Sequence, residues 1–345
     1  MGEAGILSPS AVRGERILVV GPAWVGDMVM AQSLFMVLRR RDPEAVIDVI
    51  GPKWSTPILE RMPEVRRSIT LDVGHGDVDL LSRWRLGRSL QGQYDRAIVL
   101  PRSWKSALVP FAAGVPHRTG FTGEQRYVLL NDRRQRNRDV LDQTVKRFVA
   151  LGVPADESAP LPQVPHPQLT LNADSQRRLL SEHELHQPLI GLMPGAEYGP
   201  AKQWPLAYFR RVAQQMVDRG YQVVVLGGPK DRPAGDTISE RLAGVVNLCG
   251  RTTLADAVDL LGCCEQVVTN DSGLMHVAAA VGTHLQAIYG SSSPRYTPPL
   301  TGRADIHWLE LSCSPCFERT CPLGHTNCLN QLDPARVIAR LSSES

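Results

Sequence analysis

Long apolar runs are missing from this 345-residue sequence: no uncharged apolar stretch approaches the roughly 20 residues that a membrane-spanning helix needs. The first fifteen residues, MGEAGILSPSAVRGE, also lack the apolar centre of a secretory signal. Both lacks lead us to expect a cytoplasmic protein. That compartment keeps thiols reduced, so the seven cysteines are expected as free thiols or metal ligands rather than disulfides. Aromatic residues are scarce at 6%, and the net charge is only +3. Neither suits a nucleic-acid partner, for which a basic face with aromatic or helical readers is expected.

The small total charge hides an asymmetry. Residues 1–160 carry 23 Lys and Arg against 18 Asp and Glu, an excess of five, whereas the remainder carries 15 against 17. An N-terminal half that meets an anionic small partner or a membrane surface would account for this, and so would a solvated Arg-rich exterior.

At 43% hydrophobic residues the chain has material for two globular domains. From Arg16 it alternates short β-branched runs with amphipathic stretches: ILVV (17–20), MVMAQSLFMVLRRR (28–41), VIDVIG (46–51), RSITLDV (67–73), DRAIVL (95–100). Such alternation predicts βαβ units and a parallel sheet. The pattern then starts again. PLIGLMPG (188–195) reads as a strand, PLAYFRRVAQQMVDRG (205–220) as a helix bounded by Pro and Gly, and YQVVVLGG (221–228) as a strand. LADAVDLLGCC (254–264), EQVVTN (265–270), GLMHVAAAVG (273–282) and THLQAIYG (283–290) continue it. Residues 143–176 between the halves hold five prolines and no periodicity, so they read as a linker, with domains at 1–175 and 176–345. The fold class is therefore α/β, two Rossmann-like, doubly wound parallel-sheet domains facing across a cleft at the C-terminal ends of their strands.

Several loops carry candidate chemistry. GPAWVGDMVM (21–30) has the glycine spacing of a phosphate loop, but Asp27 and Met28 stand where Lys and Ser or Thr would be. PGAEYGPAKQWP (194–205) places Gly195, Gly199 and Lys202 just ahead of a helix N-terminus, a place that suits a diphosphate. In TNDSGLMH (269–276) the amides of Ser272, Gly273 and Leu274 open a helix. Asp271 would suit sugar hydroxyls or serve only as a cap, and His276 would face the donor or be a packed core histidine. Asp231, in GGPKDR, could accept hydrogen bonds from ribose, though turn chemistry explains that loop nearly as well. Asp77-x-Asp79 has the look of a metal-binding pair but reads as a solvated loop. Cys313, Cys316, Cys321 and Cys328 have spacing compatible with structural zinc, with free thiols or an oxidised pair as the alternatives.

Taken together, GPAWVGDMVM, PGAEYGPAKQWP, TNDSGLMHVAAA and CSPCFERTCPLGHTNCL resemble the bacterial ADP-heptose:lipopolysaccharide heptosyltransferases, in the family's order, from about Arg16 to the C-terminal helix. The resemblance implies the GT-B architecture and transfer of heptose from ADP-heptose, with inversion, to the lipopolysaccharide inner core, here with heptosyl-Kdo2-lipid A as acceptor. It implies Asp27 as catalytic base, with Gly26 giving the acceptor room, and Lys202 neutralising the departing ADP. Gly195, Asp231, Asp271, Ser272, Gly273, Leu274 and His276 would hold the donor, and Arg102, Lys105 and Arg118 the acceptor's anionic groups. No metal or other cofactor is called for, since Lys202 and helix amides can assist ADP departure. It further implies a monomer resting on the cytosolic face of the inner membrane, its last helix packing back on the first domain. The rival readings are a family member with a different core acceptor, a GT-B-like sugar-nucleotide epimerase, and a silent nucleotide-sugar-binding module.

Overall fold

The computed structural model describes residues 14–71, 78–155 and 161–341. The N-terminal segment up to residue 13, Asp77 of the Asp77-x-Asp79 pair and linker residues 156–160 lie outside the described residues.

Two six-stranded parallel sheets carry the chain. The first contains β1 (Arg16–Val20), β2 (Val46–Gly51), β3 (Val65–Thr70), β4 (Arg96–Val99), β5 (His117–Phe121) and β6 (Asp132–Arg134), in the order β3-β2-β1-β4-β5-β6. The second contains β7 (Leu189–Met193), β8 (Gln222–Val225), β9 (Val245–Asn247), β10 (Gln266–Asn270), β11 (His284–Ile288) and β12 (Ala304–His307), in the order β12-β11-β10-β7-β8-β9. Counted from its own first strand, each sheet has the order 3-2-1-4-5-6, so each has a switch point between its first and fourth strands where loops diverge and leave a crevice. The central strands RILVV and LIGLM are apolar along nearly their whole length because helices cover both faces.

The helices of the first half are α1 (Val25–Arg41), α2 (Thr56–Leu59), α3 (Leu80–Ser89), α4 (Leu108–Ala112) and α5 (Thr144–Gly152). Those of the second are α6 (Ala173–Glu182), α7 (Leu206–Asp218), α8 (Arg232–Ser239), α9 (Leu254–Leu261), α10 (Gly273–Ala280), α11 (Asn327–Asn330) and α12 (Pro334–Leu341). Asp27 in the first turn of α1 and Arg39, Arg40 and Arg41 in its last turn complement the helix dipole. The middle of α1 is buried on nearly every side, because it packs against α5 and also against α10 of the other half. Its two buried polar side chains find partners in the linker. The Ser33 hydroxyl donates to Pro165 O at 2.7 Å, and Gln32 exchanges two hydrogen bonds with the Gln168 backbone at 2.7 and 2.9 Å. The proline-rich linker is thereby a strap along α1.

A second tie between the halves is ionic. Arg61 donates to Asp259 on α9 at 2.6 Å, and the other oxygen of this buried carboxylate accepts Asn172 N at 2.9 Å. The expected packing of the last helix on the first domain is corrected by the structure. Val337, Ile338 and Leu341 of α12 join Leu329, Leu332, Trp204 and Phe209 in the second domain's core, against α7 and β11. Trp204 anchors this corner, its indole N–H donating to Leu332 O at 3.0 Å.

Candidate functional site

The GPAWVGDMVM turn leaves β1 with the Gly21 amide bonded to Ile50 O, and α1 begins at Val25. Asp27 thus lies in the first helical turn, not in a loop. Gly26 is required by the opposite domain: a Cβ there would come within 2.6 Å of His276 Cδ2 on α10. A Cβ on Gly273 would meet Val25 of α1 at 2.8 Å. These glycines let two helix N-termini from different domains nearly touch, which differs from the expectation that Gly26 makes room for acceptor.

Around this contact opens a cavity of about 780 Å³ lined by loops from both sheets, including those after β1, β7, β8 and β10. It gathers Gly26, Asp27, Gly195, Lys202, Asp231, Asp271, Ser272, Gly273, Leu274 and His276, ten of the thirteen residues that the resemblance implies for catalysis, donor and acceptor. Asp27 keeps some accessible surface toward this space, yet enough protein surrounds it that burial pushes its carboxyl up to about 6. Lys202 and Arg147 pull that value down and Asp271 raises it further. His276 is buried beside them, and burial lowers its imidazole to about 4, so it is neutral at pH 7.

Lys202 reaches the site from the turn before α7, and its ammonium donates to Asp271 at 2.5 Å, both side chains being largely buried. The ring of Tyr198 lies 5.1 Å from the same ammonium. Asn270, at the end of β10, holds this geometry. Its amide nitrogen donates to Pro194 O at 2.7 Å and its oxygen accepts Trp204 N at 3.1 Å, joining the loop after β7 to the turn that carries Lys202. After Asn270 and Asp271, Ser272 caps α10 in extended geometry with no side-chain cap bond, which leaves the first amides of α10 for an anion.

Asp231 accepts Gly228 N at 2.8 Å, and burial raises its carboxyl above the ordinary value. Gly195 lacks a Cβ because the Asp231 carboxylate occupies that space at 2.6 Å. At Gly199, with φ 155°, an added Cβ would come within 2.5 Å of the Arg319 carbonyl oxygen. Each glycine thus makes room for part of the protein, and Gly195 also lines the cavity. Arg319 belongs to the cysteine-rich segment, which braces the Lys202 turn: Tyr198 OH donates to Phe317 O at 2.5 Å and Ala201 N to Arg319 O at 3.0 Å. All seven cysteines are free thiols in the structure. Among the described residues no group of three or more His, Cys, Asp or Glu is placed to hold a metal. Asp79 is an exposed cap of α3, accepting Ser82 N at 3.1 Å.

The three basic residues expected at the acceptor do not line the cavity. Arg118 is corrected outright, because its guanidinium donates to Leu129 O at 2.8 Å and Val115 O at 2.5 Å and stacks 5.5 Å from Phe111. Arg102 and Lys105 follow β4. Besides Lys202, the basic group that acts on Asp27 is Arg147 of α5, whose guanidinium donates to the Tyr296 hydroxyl across the domain boundary and lies 4.4 Å from that ring. Burial, and then the like charges of Arg147, Arg138 and Arg102, lower the pKa of Arg136, and its Nε is buried with no hydrogen-bond partner. Sequence reasoning missed Arg136, Arg147 and Asn270. A buried polar residue closing an apolar strand was a signal for Asn270; nothing separated the two arginines from their neighbours.

The model of glycosyltransferase family 9 (heptosyltransferase) matches residues 83–327. Lipopolysaccharide heptosyltransferase 2 of Salmonella typhimurium is 46% identical over 341 residues, covering 95% of this chain and 98% of that protein. The Escherichia coli protein of the same name is 44% identical, covering 95% and 98%. The solved structure of E. coli ADP-heptose lps heptosyltransferase II superposes with a TM-score of 0.84 at 43% identity, over 95% of this chain and 98% of that one.

Proposed function

The chain belongs to glycosyltransferase family 9, and from that premise we propose that it transfers heptose from ADP-heptose to the first heptose of the lipopolysaccharide inner core, with inversion at the anomeric carbon. The acceptor is heptosyl-Kdo2-lipid A. Residues 1–175 serve as the acceptor domain and 176–345 as the donor domain. The observation that carries this reading is that Asp27 of one domain and the Lys202–Asp271 pair and open amides of α10 in the other share one cavity.

Inversion requires a single displacement. The acceptor hydroxyl oxygen forms a bond to C1 of heptose as the bond from C1 to the diphosphate oxygen breaks; the hydroxyl proton passes to Asp27 and the electron pair leaves with ADP. A carboxyl held near 6 is mostly ionised at neutral pH, yet it is a better proton acceptor than an ordinary aspartate. Lys202 and the amides of Ser272, Gly273 and Leu274 stabilise the charge that develops on the diphosphate. When donor binds, Lys202 shifts toward the phosphates, and Asp271 becomes available to heptose hydroxyls. Asp231 faces ribose, and Met193, Leu226, Leu254 and Ala257 supply apolar walls for the base. Neutral His276 adds no charge to compete with Lys202. Arg147, Arg136 and Arg102 receive the acceptor's carboxylates or phosphate, with Lys105 extending the same basic surface.

The test is ADP release from ADP-heptose with Kdo2-lipid A that does or does not already carry one heptose. Turnover confined to the heptosylated acceptor is expected. Turnover on the heptose-free acceptor would make this a family member that adds the first heptose, and release of altered sugar without acceptor would make it an epimerase.

A further inference from the structure

Fourteen large apolar side chains are exposed among the described residues, and four of them, Val78, Leu80, Leu81 and Trp84, lie within seven residues at the start of α3. Failure to pack does not explain this, since the opposite face of α3 is in use. Arg83 and Gly87 are buried, and a Cβ on Gly87 would come within 2.5 Å of Ala112 Cβ, so α3 already lies tight on α4. The outward stripe is Leu80, Leu81, Trp84, Arg85 and Arg88, at positions i, i+1, i+4, i+5 and i+8 of a helix. A solvated stripe would be polar throughout.

The patch continues off the helix. Trp84 lies 6.5 Å from Phe111, Arg118 lies 5.5 Å from the same Phe111 ring, and Arg118 Nε donates to Leu129 O. Just before Leu129 stand Tyr127 and Val128, 60% and 76% exposed, with Arg133 5.8 Å from the Tyr127 ring and donating to Tyr127 O. Leucine, tryptophan and tyrosine thus alternate with Arg85, Arg88 and Arg133 along one edge of the first domain, while Arg118 ties Phe111 to the Leu129 backbone beneath them. The one acid on α3 or at its cap is Asp79, which is used as that cap.

We propose that this edge docks on an anionic lipid bilayer. Leucine and tryptophan enter the interface between headgroups and acyl chains, tyrosine sits at headgroup level, and the arginines meet lipid phosphates. Charge complementarity selects the occupant: the arginines repel a second copy of the same basic face, whereas the surface of an anionic leaflet attracts each of them. The inference rests on the proposed reaction only in that a lipid-borne acceptor gives the acceptor domain a reason to carry the contact.

The test is co-sedimentation of the full chain with phosphatidylcholine vesicles, with and without phosphatidylglycerol, containing neither donor nor acceptor, so that binding is read separately from turnover. Wild type is expected to bind the anionic vesicles, with weaker binding at high salt. Leu81→Glu/Trp84→Ser should abolish binding, and Arg85→Glu/Arg88→Glu should lower it by at least about five-fold per arginine. All variants should keep ADP release on a deacylated, soluble acceptor, which also shows that they fold. Equal vesicle binding by wild type and Leu81→Glu/Trp84→Ser would overturn the proposal. So would a wild-type dimer that dissociates in that variant, since it would assign the face to a second copy.

Discussion

Gly26 and His276 sit on helices of different domains, yet a single added carbon on Gly26 would reach within 2.6 Å of the imidazole. Asp27 follows directly, so this contact sets how closely the proposed base can approach the second domain. Gly26→Ala must push α1 and α10 apart, and overpacking of this kind costs about 1–3 kcal/mol. We expect kcat/KM to fall roughly 10- to 100-fold, and Gly26→Ala/His276→Ala to recover part of the loss, because removing the imidazole makes room. Steady-state kinetics on the two variants check this; an unimpaired Gly26→Ala would show that the close approach is unnecessary.

Lys202 should act on both the leaving group and the base. Removing its charge takes away stabilisation of the departing diphosphate, and losing one such electrostatic partner costs about 10²- to 10³-fold in kcat. Lys202 also lowers the Asp27 carboxyl, so Lys202→Ala should move the acid limb of the pH–rate profile upward. A loss of rate with no shift of that limb would separate Lys202 from Asp27.

Asp27 should make the protein less stable at neutral pH than its asparagine variant. Its folded value near 6 lies above the ordinary 3.8, so between these values the folded state holds more protons than the unfolded one. Stability from this group is therefore present below pH 3.8 and is lost as pH rises through 6, by about 2–3 kcal/mol at most. Asp27→Asn should raise Tm at pH 7.5, with the difference vanishing as pH falls below about 4. His276 titrates with the opposite sign in both proteins, so the difference isolates Asp27. Equal Tm values across the range would mean that the carboxyl is not desolvated.

Arg136 has a buried Nε without a partner among like charges, an arrangement that an anionic ligand would relieve. Arg136→Ala should raise KM for the acceptor by about ten-fold and leave ADP-heptose affinity unchanged. Calorimetric titration of donor and an acceptor saturation curve distinguish this from a general loss of structure.

Much of this architecture could be read from periodicity and punctuation. RILVV, LIGLM and QVVTN are short apolar runs before glycine or Asx turns, and buried parallel strands have that form. The strands β5, β6 and β12 were not legible, since HRTGF, DRR and ADIH lie toward the sheet edges and carry charges that single-strand patterns do not predict. Asp27, Lys202 and Asp271 were found because each follows a strand at a glycine or Asx turn. The role of Gly26 was not, because its reason lies 250 residues away in His276. Arg147 and Arg136 were hidden among twenty arginines in residues 1–160, and only the tertiary fold brings Arg147 to Tyr296 and Asp27. The last helix was expected on the first domain only from the resemblance; its apolar face states that it packs, and the tertiary fold sets it against α7 and β11.

The central claim is that Asp27 takes the proton from the attacking hydroxyl, and the most direct measurement is single-turnover transfer to heptosyl-Kdo2-lipid A by Asp27→Ala and Asp27→Asn, beside ADP-heptose binding to each. Loss of about 10²- to 10⁴-fold in rate with donor affinity retained is the predicted result. Transfer by Asp27→Asn at the wild-type rate would contradict the assignment, because an amide cannot accept the proton.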